Sequence, residues 1–129
     1  KALHGVGAAH RVAGLGALLA HDALLSGGGG LLQDKTSSRS LRYYCGVINL
    51  AKRLGKRVVV YGQSVGPLTP AGERLVARTL KGVPVAVRDE PSRSRLGHLG
   101  VPSTLVADAA LALPRPLPRP VDDAPVLFI

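Results

Sequence analysis

The chain has 129 residues, with 17 basic and 8 acidic side chains and a formal charge of +9. That length permits one domain and excludes two of ordinary size, while an apolar content of 46% excludes a wholly disordered chain. A single cysteine, Cys45, excludes an internal disulfide and a cysteine-rich zinc site.

Residues 12–20 carry a helical apolar pattern. Arg11 before them imitates the start of a signal peptide, but His21 and Asp22 stand where a small-residue cleavage site belongs. The segment therefore reads as a helix and the protein as cytoplasmic. No apolar stretch approaches the roughly 20 residues of a membrane span. Residues 22–26 read as a strand that runs into Gly27, Gly28, Gly29 and Gly30. A helix over 38–54 follows, with Thr36, Ser37 or Ser38 as its cap. Its apolar positions Leu41, Tyr44, Cys45, Ile48, Ala51 and Leu54 recur at helical spacing, and Gly55 closes it. Cys45 among these neighbours reads as a buried structural thiol.

Residues 57–61, with Val58, Val59 and Val60 in a row, have the pattern of a buried strand. The turn over 62–67 leads to a helix near 70–80, where Pro70 suits the first position and Gly82 the end. A strand over 83–87 ends on Arg88, Asp89 and Glu90. A helix over 90–99 is stopped by Gly100, and a strand over 104–107 is ended by Asp108. Strand–helix–strand units of this length predict an α/β domain: a parallel, Rossmann-like sheet with helices on both faces.

Residues 114–125 hold five of the ten prolines and read as an extended linker. The expected organisation is an incomplete domain over 1–113, the linker over 114–125, and the first strand of a second domain at 126–129. The lack of methionine and the apolar run Val126, Leu127, Phe128 and Ile129 fit an expectation that the chain is a piece of a longer protein.

From Lys35 to Gly72 there are seven cations and no acid. Either this stretch meets an anionic partner or it is a solvated surface whose Lys52, Arg53 and Lys56 complement a helix C-terminus. Nucleic acid is not expected, because no aromatic stacking set or binding motif accompanies the cations. His4, His10, His21 and His98 show no metal spacing, so no metal site is expected.

Ligands of open parallel sheets bind outside the carboxyl ends of the strands. Those ends carry glycines 27–30, then Gln63 and Ser64, then Arg88 and Asp89, then Asp108. Four glycines after a strand leave backbone N–H groups uncovered, which suits phosphate or carboxylate, but a tight turn needs the same residues. No dinucleotide fingerprint or P-loop is present. Arg88 has the fork that grips a carboxylate or phosphate, or it pairs with Asp89, Glu90 or another nearby carboxylate. Asp89 and Glu90 also suit a helix start. Gln63 offers an amide to a ligand or holds its turn. Asp108 bonds the backbone at a strand end or faces the cleft.

Read in order, these residues resemble a known family. Ser26, the four glycines, Leu31, Leu32, Gln33 and Asp34, then Thr36, Ser37 and Ser38, then Tyr43 and Tyr44, look like the glycine-rich segment of polysaccharide pyruvyl transferases. The likeness continues through 61–67, through Val87, Arg88, Asp89 and Glu90, through 99–102, and through Ala107 and Asp108. It is nearest to the bacterial cell-wall type, and covers roughly 12–129.

The resemblance implies half of a two-domain, glycosyltransferase-B-like fold and a pyruvyl group moved from phosphoenolpyruvate onto two sugar hydroxyls as a ketal. No cofactor is implied. The acceptor implied is a lipid-linked saccharide at the cytoplasmic face, with peripheral membrane contact; the oligomeric state is not implied. Arg88 becomes the catalytic candidate, as a ligand of phosphoenolpyruvate. Gly27, Gly28, Gly29, Gly30, Gln33, Asp34, Ser37, Gln63, Ser64, Asp89, Glu90 and Asp108 become candidate substrate contacts. Two departures stand out: Gly30 replaces a serine common in relatives, and nothing here matches the family's catalytic histidine of the C-terminal half. The chain alone is therefore expected to be inactive. The alternatives are a nucleotide-sugar glycosyltransferase-like domain and a basic module that binds nucleic acid or membrane.

Overall fold

The structure, a computed structural model, describes residues 16–112. The expected linker and second-domain strand lie outside those residues. Residues 16–20 are helical. Strand β1 (Ala23–Gly27) is followed by helix α1 (Ser38–Arg53), strand β2 (Arg57–Gln63), helix α2 (Pro70–Leu80), strand β3 (Val85–Val87), helix α3 (Glu90–His98) and strand β4 (Thr104–Leu105), with a 3-10 turn over Ala109–Ala112.

Local chemistry sets each helix. Ser37 caps α1 by accepting from the Ser40 amide, and Gly55 takes the positive φ of 69° that ends it. Thr69 caps α2 with Pro70 in its first turn, and Asp89 caps α3. Lys52 donates to the carbonyls of Thr79 and Lys81, at 2.9 Å each, and so closes the C-terminus of α2 rather than of its own helix. Lys56 reaches the carbonyl of Leu19. Two of the seven clustered cations are thus tied to backbone.

All strands are parallel and ordered β1-β2-β3-β4. Because each crossover steps in the same direction, the right-handed rule puts α1, α2 and α3 on one face. Packing agrees: Leu41, Cys45, Ile48, Val76, Leu80 and Leu96 share one core with Val58, Val60, Val85 and Val87. Full burial of each Leu or Ile there stabilises by about 1.5–3 kcal/mol. The opposite face is open among the described residues, with Leu25 67% and Leu105 48% exposed. Val59 and Tyr61 face it too, so the triple-valine strand alternates and is not buried on both sides as its composition suggests. The α/β class and the parallel sheet stand; a second helical layer is not among the described residues.

Strand bounds also differ from the sequence pattern. β2 runs two residues past Tyr61, because a register shift at Gly62 (φ 63°) lets pairing continue to Gln63. β3 begins only at Val85: the Val83 amide turns back to Leu80, and Pro84 has no N–H to give. β4 is a two-residue edge.

Candidate functional site

The carboxyl ends of the four strands lie on one edge, as a parallel sheet requires. Gly28 and Gly29 there have φ of 78° and 64°, a conformation that disfavours other residues. The Gly28 amide bonds Tyr61 O and the Gly29 carbonyl accepts from the Ser64 amide at 3.0 Å, so the loop is stapled to the end of β2. Among the described residues, the amides of Gly29 and Gly30 donate to no protein acceptor. A Cβ at Gly28 or Gly30 would meet open space. The loop therefore presents uncovered N–H groups to solvent.

Ser64 joins this loop to a chain of charges. Arg88 Nε donates to Ser64 Oγ at 2.9 Å, and Ser64 Oγ donates to Asp89 Oδ2. Arg88 Nη1 donates to Asp108 Oδ2 at 2.6 Å. Asp89 Oδ1 accepts from the Ser92 amide and starts α3; Asp108 Oδ1 accepts from the Ala110 amide. Arg88 is about one-third exposed, and its Nη2 donates to nothing among the described residues. Those unused Nη2 donors are the ones left for a carboxylate or phosphate.

The carboxyls of the cluster are held charged. For Asp89, burial opposes ionisation, but bonds from Ser64 and Ser92 and the charge of Arg88 outweigh it and lower its pKa. For Asp108, the Ala110 amide and then the Arg88 side chain lower the pKa. One cation and two carboxylates leave the cluster with a formal surplus of negative charge. An anion can be gripped only where Arg88 offers its Nη2 donors or releases Asp108.

The remaining candidates have other work. Gln63 is fully buried; its Nε2 donates to Ser26 Oγ at 2.9 Å, and its Oε1 has no partner among the described residues. The bulge at Gly62 turns it inward, so it braces β1 and does not reach the surface. Gln33 closes its own loop on Thr36 through both amide atoms. Asp34 accepts from the Thr69 amide at 2.9 Å and from Thr69 Oγ1 at 2.6 Å, which fixes the start of α2. Gly72 is bare because any Cβ would collide with the Asp34 carboxylate. Ser37 is the cap of α1, and Glu90 pairs with Arg93 on the surface.

Two contributors were not anticipated from sequence. Thr69 is the partner of Asp34, and buried Ser92 accepts from the Val65 amide at 2.8 Å, tying the loop after β2 to α3. The pattern Asp89-x-x-Ser92 signals a cap, but nothing local signals a bond to residue 65. Burial raises the Cys45 thiol above its ordinary pKa, against a weaker opposing bond with Thr79, so it is a poor nucleophile. Among the described residues no group of side chains is placed to hold a metal, and no helix is long and apolar enough to cross a membrane.

One family model, described as polysaccharide pyruvyl transferase, matches residues 6–128. No curated protein and no solved structure matches the chain.

Proposed function

The chain belongs to the polysaccharide pyruvyl transferase family, and from that premise we propose that it forms the donor-holding part of an enzyme that transfers pyruvyl from phosphoenolpyruvate to a cell-wall saccharide as a ketal. One observation carries the reading: Arg88, fixed at a strand end by Ser64 and Asp108, keeps its Nη2 donors unused beside a loop with uncovered glycine amides. A donor with both a carboxylate and a phosphate needs two such anion holders.

The chemistry assigns work to each. The methylene carbon of the donor takes a proton, and positive charge develops at the adjacent carbon. One sugar hydroxyl adds there; the second displaces phosphate as the carbon–oxygen bond breaks. Of the two hydroxyl protons, one replaces that given to the methylene and the other leaves with phosphate. Arg88 and the Gly29 and Gly30 amides would orient the donor and stabilise the departing phosphate. A general acid and base are also required. No described side chain of the cluster is suited to be the acid, since both carboxyls are held ionised by their own partners. On this reading the described residues do not supply the proton donor, and the chain alone should be inactive. The lipid-linked acceptor and the cytoplasmic setting belong to the same proposal.

Titration calorimetry separates this from a nucleotide-sugar reading. Phosphoenolpyruvate should bind more tightly than inorganic phosphate, and a uridine diphosphate sugar should not bind. Preference for the uridine nucleotide would move the chain to a different donor.

A further inference from the structure

Ser64, the first residue after β2, is bonded to both anion holders. Its amide donates to the Gly29 carbonyl at 3.0 Å, which ties down the glycine loop. Its hydroxyl accepts from Arg88 Nε at 2.9 Å. The backbone on either side is fixed as well. The Val65 amide donates to buried Ser92 Oγ at 2.8 Å, and the Arg88 amide donates to the Gln63 carbonyl.

The hydroxyl has little freedom to turn. A serine hydroxyl carries one proton to give and lone pairs to accept with. The proton goes to Asp89 Oδ2, on a carboxylate that is itself held by the Ser92 amide at 2.8 Å. A lone pair then faces Arg88 Nε. No proton is left on this hydroxyl for an anionic ligand, so its effect on such a ligand runs through Arg88. Without the hydroxyl, Arg88 Nε and Asp89 Oδ2 would each lose a partner. The neighbouring guanidinium and carboxylate would then pair directly, and that pairing would reorient the Nη2 donors.

We infer that Ser64 is a positioning residue that sets where Arg88 stands relative to the Gly29 and Gly30 amides, a role that rests, for the ligand's identity, on the donor reading. A ligand with a carboxylate and a phosphate needs both holders at a fixed separation, whereas a single anion needs only one of them. Ser64 thereby lets the site distinguish a donor with two anionic groups from free phosphate.

Calorimetric titration of the chain with phosphoenolpyruvate and with inorganic phosphate tests this, each protein first checked for cooperative thermal unfolding. Ser64→Ala keeps the backbone bond to Gly29 and loses only the hydroxyl. Its affinity for phosphoenolpyruvate should fall by at least about tenfold, and its affinity for phosphate should change by less than about twofold. A second measurement needs neither ligand nor variant. By NMR, the Arg88 Nε–H of wild type should exchange with water at least about tenfold more slowly than that of exposed Arg42. If wild type binds phosphoenolpyruvate no better than phosphate, the donor reading falls and takes the inference with it. If wild type prefers phosphoenolpyruvate and Ser64→Ala keeps that preference, the inference falls and the donor reading stands. Equal losses for both ligands also overturn the inference, because the hydroxyl would then support the fold and not the spacing. Exchange of the Arg88 group as fast as that of Arg42 overturns it whatever the ligands do.

Discussion

Two polar clusters stand on the same edge of the sheet and differ in what they leave over. The Asp34–Thr69 cluster is closed: the two carboxylate oxygens accept from one residue, and Gly72 packs beneath them with no room for a methyl group. The Ser64–Arg88–Asp89–Asp108 cluster is open: every carboxylate oxygen is engaged, but Arg88 retains donors at a surface that is one-third exposed. An aspartate at a strand end is therefore not in itself a binding group. What distinguishes a site from a brace is unused hydrogen-bonding capacity that solvent can reach.

Substitution should pull the two clusters apart. Asp34→Ala should have the largest effect on stability, about 2–3 kcal/mol in urea unfolding, by removing two charge-assisted bonds. It should leave donor affinity nearly unchanged. Gly72→Ala should cost about 1–2 kcal/mol by forcing the Asp34 carboxylate aside. Arg88→Ala should move the urea midpoint much less than either, because its ion pair is partly solvated. Asp108→Asn should tighten binding of phosphoenolpyruvate by roughly threefold to tenfold, measured calorimetrically, because the anion no longer competes with a carboxylate.

The smallest effect concerns pH. The carboxyls of Asp89 and Asp108 have lower pKa values in the folded chain than the ordinary carboxylate value. Their stabilisation is therefore complete above about pH 4 and is lost as pH falls through the depressed values. Asp108→Asn should flatten the acid limb of a curve of stability against pH. An acid limb in that variant as steep as that of wild type, or steeper, would show that the ion pair with Arg88 is not formed in solution.

Much of the architecture is legible because it is local. Ser37, Pro70, Asp89, Gly55 and Gly100 mark helix ends by side-chain and backbone rules that act within four residues. The strand ends carry the residues expected of a ligand edge. The Arg88 pairing is half legible: the sequence offers several carboxylates, and only the fold selects Asp108, 20 positions away. The Asp34–Thr69 bond spans 35 positions and leaves no periodic trace, so the sequence shows the aspartate but not the threonine it holds. The exposure of Val59 is hidden for a related reason: three valines in a row report strand propensity, whereas the direction of the crossovers decides which face is covered.

The central claim is that Arg88 holds the anionic donor without being needed for folding. Thermal unfolding of wild type and Arg88→Ala, each with and without phosphoenolpyruvate, tests both halves at once. Wild type should gain stability with the ligand, by about 2.7 kcal/mol at a hundredfold excess over its dissociation constant. Arg88→Ala should unfold close to wild type without ligand and gain nothing from it. Equal protection of the two proteins would contradict the account.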